Sequence, residues 1–597
     1  MLAVAIECAR DAGTILRTAF YDIGAVRYQD GLPVADVRVE DMIYDRIRAQ
    51  FPLTGIRLEE RPEHNRPPDE GSNSVWLIDP HDGTTAAHQG WRGASVSIGV
   101  IRDGVPILGV VYAYAYPNDG GDLIAWAEGC GPVTRNGEPI EDRQTGSPEV
   151  VLVSKHADRR ADIYTEEIAP YRYRGLPGIA YRLAAVAAGD ASAGISLHGP
   201  RDFDCVGGHA LLRGAGLDLF DDTGQTIRYS GSQSQRFKAC FGCSADDLPN
   251  LLRSNWSRLK KTVSEPTGLI EPNQTLLERS SVRLSRGQGA LVGHLIGDAL
   301  GTAVEDARQR PELASSSLAK IVPPLFISDD GEMTLCLARE ILMSGHYRAD
   351  GVSKAYTDWV KTRPPNAGKT ILQATGQMGQ NNSAVLMMTN ADSESQSNGA
   401  LMRAVPLALY GVGAAPERST YLAANDGALT HPHPVCIDIN RIYVDLIRQA
   451  IETELTSRDL FAYGVDRWKS SDASASVITC FSKAKDGPPT DFNKHSGWVI
   501  TAFHNALYHL ANGHEYEAAL SETIASGGDV DTNAAICGGL IGATAGLEAI
   551  PSHWRTSILT SRPYVSTEHA PKRPSGCWPV DALHLAEQLL ALKAYDE

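Results

Sequence analysis

Apolar residues alternate as they do in strands only over roughly the first 245 positions of this 597-residue chain, and from about 286 onward they recur almost wholly at helical spacing. A single hydrophobic core stops growing near roughly 250–300 residues, so the length and the change of period together predict two independently cored domains. The expected division is a first domain over 1–245, a linker over 246–283 and a second domain over 284–597. The linker is read from the loss of strand signals and from a polar stretch carrying Lys260, Lys261, Pro266, Pro272 and Asn273. With 43% hydrophobic residues the chain has enough apolar material for both cores.

In the first part, Leu2, Ile6, Ala9, Gly13, Leu16 and Phe20 recur every three or four residues and predict a helix over 2–20; a second helix is expected from about Glu40 to Gln50. Strands are expected at 74–78, 94–100 and 107–114, the last two joined by a hairpin at Asp103-Gly104, with further strands at 150–154 and 193–197 and a Gly- and Ala-rich helix at 205–216. This part is α/β. Segments 286–301, 331–344, 399–411, 436–454, 497–511, 515–526 and 532–547 carry helical apolar spacing, so the second part is expected to be all-α.

The formal charge of −17 excludes non-specific attraction to nucleic acid or anionic lipid, because phosphate backbones repel such a surface. A small anionic substrate then requires cations in the site. Glu7, Arg10 and Asp11 break the first apolar run too early for a signal-peptide core, and no later run is long enough to span a bilayer. The ten cysteines stand at irregular intervals, as reduced thiols do, and the expected compartment is the cytoplasm. Cys240 and Cys243 form a C-x-x-C with no second pair and no nearby histidine pair, which favours two ordinary thiols at a strand end over structural zinc. Association into a homo-oligomer stays open.

Two acidic constellations carry chemistry. In Trp76-Leu-Ile-Asp79-Pro-His-Asp82-Gly-Thr84-Thr85, Pro80 and Gly83 bar regular continuation of a buried strand, so Asp79 and Asp82 can converge. Converging carboxylates suit Mg²⁺, and the amides of Gly83, Thr84 and Thr85 open a helix where phosphate can rest. Glu59-Glu60 lies one strand upstream, and Asp204 precedes the small-residue helix Cys205–Gly216. In the second half, Ser328-Asp329-Asp330 and Gly527-Gly528-Asp529-Val530-Asp531-Thr532 each open an amphipathic helix, and they would build a two-metal site if those helix ends meet.

The order Glu59-Glu60, Asp79-Pro-His-Asp82-Gly-Thr-Thr85, Asp204 with its small-residue helix, and Gly214-Ala-Gly216 resembles the inositol monophosphatase superfamily. Asp30–Asp36, Val96-Ser-Ile-Gly, Leu108-Gly-Val-Val and Ala185–Gly189 extend the likeness over about residues 1–245. The resemblance implies a layered α/β sandwich holding two or more Mg²⁺ through Glu59, Asp79, Asp82, Asp204 and the His81 carbonyl. It further implies that Glu59 and Thr84 position the attacking water, with Gly83, Thr84 and Thr85 binding a small phosphate ester. Leu58, His81 and Phe203 depart from the family's Gly, Leu or Ile, and Trp; none of these removes a side-chain ligand.

Gly297-Asp298-Ala-Leu-Gly301 with Glu305, Ser328–Asp330, Ser397-Asn-Gly-Ala-Leu-Met-Arg403, Thr430-His-Pro-His433 and Gly527–Asn533 resemble, in that order, the ADP-ribosylglycohydrolase family over about 284–597. By resemblance the domain is all-α, two Mg²⁺ are held by Ser328, Asp329, Asp330, Asp529, Asp531 and Thr532, Glu305 acts at the glycosidic bond, and the substrate is ADP-ribosylated. Ser328 replaces the usual Thr and keeps its oxygen. His431 and His433 are expected to make structural hydrogen bonds. The expectation is therefore a bifunctional hydrolase; the alternatives are a chain in which only one half turns over and the other senses a ligand or assembles oligomers.

Overall fold

The computed structural model describes residues 1–22, 28–29, 32–140, 149–260, 267–308, 325–376, 383–564 and 572–594. The chain divides into two compact units, one of residues 1–267 with 272–275 and one of 268–271 with 276–597. Of the stretch expected as a linker, Leu248–Leu252 is a helix whose Leu248 and Leu251 are buried in the first unit's core, while 261–266 lie outside the described residues.

The first unit is layered. A seven-stranded sheet runs in chain order: Gly55–Leu58, Ser74–Asp82, Ser95–Arg102, Val105–Ala113, Asp122–Ala127, Thr134–Arg135 and Glu138–Pro139, parallel only in its first pair. Helices Leu2–Phe20 and Val34–Gln50 pack on it, as do Ile179–Ala187 and Asp202–Gly214, which also contact a five-stranded sheet. That second sheet has the order Arg172–Leu176, Val150–Ser154, Ala193–Ser196, Cys240–Cys243, Asp218–Asp221. Alternation along its strands divides two cores: Val150 and Leu152 join Leu183 and Leu211, whereas Val151 and Val153 join Tyr164 and Leu251. The same alternation sends Cys240 to the first core and Cys243 to the second, so the C-x-x-C pair faces opposite sides of a sheet and does not converge on a metal.

Two expectations need correction here. The second helix starts at Val34, six residues before Glu40. The strand from Ser74 does not stop at Ile78 but runs to Asp82, because the register shifts between Asp79 and Asp82 and the bulge accommodates Pro80, which has no N–H to give a ladder. The strand Asp122–Ala127 and the helix Ile179–Ala187 were not anticipated. Asp30 and Gly31, which the resemblance used, lie outside the described residues.

The second unit's named elements are all helices. Its axis is the antiparallel pair Ser281–Arg308 and Val530–Ala545, which has the most extensive contact in the molecule. Gly289 faces Gly542, Gly293 faces Gly538, Gly297 faces Ala534 and Gly301 faces Asp531, one contact per four-residue step of the first helix. The first helix offers glycine at each of these contacts because it meets backbone there: a Cβ at Gly297 would lie 2.2 Å from the Ala534 carbonyl oxygen. Gly297→Ala should therefore destabilise this unit by at least about 2 kcal/mol, as overpacking against rigid backbone does. Gly576→Ala, where a Cβ meets nothing within 4 Å, should change stability little. Urea unfolding of both variants checks this, and equal midpoints would refute the tight seam.

Around this pair lie Asp329–Ser344, Pro434–Glu452, Val499–Asn512 and Tyr516–Ser526, close to the expected spans. The expected helix over 399–411 is instead a short 3₁₀ turn, Leu401–Arg403, followed by Val405–Tyr410, since Pro406 begins a new helix rather than continuing one. Among the described residues no helix is long and apolar enough to cross a membrane.

Candidate active sites

In the first unit three elements bring four carboxylates to one point. Glu59 follows the strand Gly55–Leu58, Asp79 and Asp82 end the strand Ser74–Asp82, and Asp204 lies in the first turn of the helix Asp202–Gly214. Oxygens of Glu59, Asp79 and Asp204 lie within 4.8 Å of one another. Asp82 feels the charges of Asp204 and Glu59, and its Oδ2 accepts from the Ala180 amide at 2.6 Å. Burial pushes these acids up, Glu59 and Asp82 to about 7, Asp204 to about 6 and Asp79 well above the carboxylate range, and repulsion from the other members of the cluster adds to it at Glu59, Asp79 and Asp82.

Gly83 takes φ +95°, turning the chain out of the strand into the short helix Thr84–Ala87. The Thr84 hydroxyl lies 2.7 Å from the His81 carbonyl oxygen and 3.1 Å from Asp36 Oδ2. The His81 ring points elsewhere, with Nδ1 2.9 Å from Asp36 Oδ1 and Nε2 2.9 Å from the Tyr114 hydroxyl. This explains how a histidine replaces an aliphatic residue: both ring nitrogens find partners in the interior. Asp36 thus joins Thr84 to His81, a role the sequence reading did not assign; Asp36 stood in a recognised motif, but only the packed helix Val34–Gln50 reveals its partners.

In the second unit the glycine seam ends at the site. Asp298, Asp330 and Asp531 form one cluster with oxygens within 4.8 Å of one another, and Glu305, Asp529 and Asp531 form another. Asp298 and Glu305 come from one helix of the central pair, Asp529 and Asp531 from the start of the other, and Asp329 and Asp330 from the first turn of Asp329–Ser344. Ser328 caps that third helix, and its Oγ lies 3.0 Å from Asp330 Oδ2. Glu305 Oε1 accepts from the Val530 amide at 3.1 Å, and the Thr532 amide donates to Asp531 Oδ1 at 2.8 Å. Burial and like charge raise Asp329 to about 8 and hold Asp330 and Asp531 well above the carboxylate range. A cavity of about 490 Å³ opens over the cluster, lined by Glu305, Asp329, Asp529, Asp531 and Thr532, with Asn366, Lys369 and His431 among the others.

Residues 279–591 match the family profile described as ADP-ribosylglycohydrolase, which is more than half of the chain. The chain belongs to the ADP-ribosylglycohydrolase family. Residues 1–251 match the inositol monophosphatase family, so both halves belong to hydrolase families. One relative is the ADP-ribosyl-dinitrogen reductase glycohydrolase of Rhodospirillum rubrum, 25% identical over 46% of this chain and 90% of that protein. Another is the 3′(2′),5′-bisphosphate nucleotidase CysQ of Salmonella typhimurium, 29% identical over 39% of this chain and 96% of that protein. Among solved structures, an inositol monophosphatase from Anabaena is 26% identical, covering 42% of this chain and 93% of that one with a TM-score of 0.34.

In the ADP-ribosylglycohydrolase half, Asp298 is the residue that sequence reasoning passed over. It stands in the Gly297–Gly301 motif, and its carboxylate accepts from the Ser328 amide at 2.9 Å and the Gly331 amide at 2.9 Å, which fixes the turn presenting Asp329 and Asp330. Asn398 likewise stands in the Ser397–Arg403 motif, and its Nδ2 donates to Asp529 Oδ2 at 2.7 Å. Asn366 and Lys369, also on the cavity wall, belong to no motif. His431 lines the cavity but is held between Ser397 Oγ and Thr430 Oγ1, each at 2.8 Å, and burial pushes its ring down to about 3. His433 accepts from the Val435 amide at 3.2 Å and caps the helix Pro434–Glu452.

Both clusters fit divalent cations. Asp330 Oδ1 is buried with no hydrogen-bond partner, a costly state for a carboxylate unless a cation faces it. The donors are oxygens throughout, which suits hard cations such as Mg²⁺.

Proposed function

We propose that the chain is a bifunctional Mg²⁺-dependent hydrolase, cleaving phosphomonoesters in its first unit and an ADP-ribosyl glycosidic bond in its second. The observation that carries this reading is that each unit gathers its own buried or half-buried carboxylate cluster, with oxygens within 4.8 Å. Groups so placed repel one another unless cations offset them. Bound cations supply charge neutralisation and lower the pKa of water.

In the first unit, Glu59, Asp79, Asp82, Asp204 and the His81 carbonyl would hold two or more Mg²⁺. Thr84 and Glu59 orient the attacking water, Asp36 holds the Thr84 hydroxyl in place, and the amides of Gly83, Thr84 and Thr85 receive the phosphate. In the second unit, Ser328, Asp329, Asp330, Asp529, Asp531 and Thr532 would hold two Mg²⁺. Glu305, anchored by the Val530 amide, faces the cavity where the ribose and its leaving group would lie. The ten cysteines, all free, fit the reducing cytoplasm in which we place the protein.

The two activities serve one metabolite class, phosphorylated derivatives of ADP-ribose or a related nucleotide. Fusion raises the effective concentration of one site's product at the other, and the relative from Salmonella typhimurium is named for a nucleotide bisphosphate. The test offers the intact protein an ADP-ribose phosphomonoester, an adenosine bisphosphate and an inositol phosphate in parallel with Mg²⁺. The nucleotide esters are expected to turn over fastest. Turnover of the inositol phosphate alone would remove the shared metabolite class while leaving both hydrolase readings in place.

A further inference from the structure

A third group of metal-type donors lies in the second unit and shares no residue with the carboxylate site. His509 is in the last turn of the helix Val499–Asn512, Gly513 ends that helix in the left-handed region with φ +67°, and His514 follows at once. Glu522 comes from the next helix, Tyr516–Ser526. One donor atom from each of the three lies within 4.8 Å of the other two. The two Nδ1 atoms are 2.8 Å apart, and His514 Nδ1 is 3.7 Å from Glu522 Oε2.

The far nitrogen of His509 is engaged in the interior. Its Nε2 lies 3.1 Å from Thr523 Oγ1. That hydroxyl accepts from Asn505 Nδ2 at 2.9 Å and hydrogen-bonds to the Cys537 thiol. In the tautomer in which Nε2 donates to Thr523 Oγ1, His509 presents a bare Nδ1 lone pair toward His514 and Glu522. Asn505, His509, Thr523 and Cys537 are all buried, and burial holds the His509 ring neutral, its pKa pushed down to about 3. An imidazole whose second nitrogen is tied to an interior acceptor is the arrangement that orients histidine as a metal ligand.

We infer that His509 Nδ1, His514 Nδ1 and Glu522 form a binding site for a borderline transition-metal cation of the Zn²⁺ class. Two imidazoles and a carboxylate are a common set for such an ion, with a fourth position for water. Nitrogens on one tetrahedral ion stand roughly 3.3 Å apart, given bonds of about 2.0–2.1 Å, so the pair opens by about half an ångström on binding. His514 then carries its proton on Nε2 and no net charge is lost. Because His514 and Glu522 are partly exposed, the ion has an open approach, and by joining the end of one helix to the middle of the next it stabilises the folded state.

The test uses the full chain in excess Mg²⁺, which occupies the carboxylate sites, titrated with Zn²⁺ or with Co²⁺ as a spectroscopic probe. The wild type should take up one equivalent of Co²⁺ with visible absorption of tetrahedral character, and Zn²⁺ should raise its unfolding midpoint. His514→Ala, with Glu522→Gln as a second variant, should bind at least about 100-fold more weakly and lose the midpoint shift. His553→Ala, an exposed histidine outside the cluster, should behave as wild type. Circular dichroism verifies that each variant is folded. An equal shift in the wild type and in both cluster variants, or no shift in any of them, overturns the site.

Discussion

Asp330→Asn is expected to lower ADP-ribosyl hydrolysis by at least about 100-fold and to leave phosphomonoester hydrolysis unchanged, while Asp82→Asn does the reverse. Even residues one shell removed from a metal cost about 10–100-fold when changed, so a residue within the cluster should cost no less. The separation follows from the division into two units, each with its own core and its own carboxylates. The substitutions should not unfold the protein. Asp330 is held well above the carboxylate range by burial and by Asp531, Asp298, Asp329 and Asp529, so a neutral isostere removes repulsion. In chelator, the unfolding midpoint of Asp330→Asn should match or exceed that of the wild type. Loss of both activities from either single substitution, with a native circular dichroism spectrum, would show the sites to be shared or coupled.

Excess chelator should reduce both activities to the uncatalysed level, and Mg²⁺ should restore them. The donor sets contain only oxygens, and among the described residues no cysteine or histidine nitrogen falls within either carboxylate cluster. Full turnover of either substrate class in chelator would remove the metal assignment for that half. The His509 group is distinguishable here, because Mg²⁺ rather than Zn²⁺ should restore catalysis.

What the sequence disclosed, and what it withheld, follows the range over which each signal acts. Asp79, Asp82, Asp329, Asp330, Asp529 and Asp531 stand in short acidic segments at strand ends or helix starts, where local pattern alone marks them. Asp298 is one acid in a long Gly-rich helix, and its hold on the Ser328 and Gly331 amides exists only after two helices pack. The ring of His81 reads as a departure from an aliphatic pattern until Asp36 and Tyr114 are placed beside it. Pro80 reads as a strand terminator because a bulge is a property of two paired strands rather than of one. His509, His514 and Glu522 have no motif: a helix end, a left-handed glycine and a second helix are all needed to make them converge.

The glycine seam between Ser281–Arg308 and Val530–Ala545 also sets how finely the second site can be adjusted. Contacts repeat every four residues along the first helix and every three or four along the second, and four residues are about 6 Å of rise. Backbone seated on backbone has no rotamers to absorb a smaller displacement, so the pair occupies one register or slides by a whole step. A whole step would exceed the 4.8 Å across which the acidic oxygens now meet and would scatter them. The spacing of Asp298 and Glu305 from Asp529 and Asp531 is therefore quantised by the main chain. A cation too large for that spacing cannot be accommodated by a slight shift of the helices, so in the proposed metal site the glycines of the seam, which would never touch the ion, limit its size together with the ligands themselves.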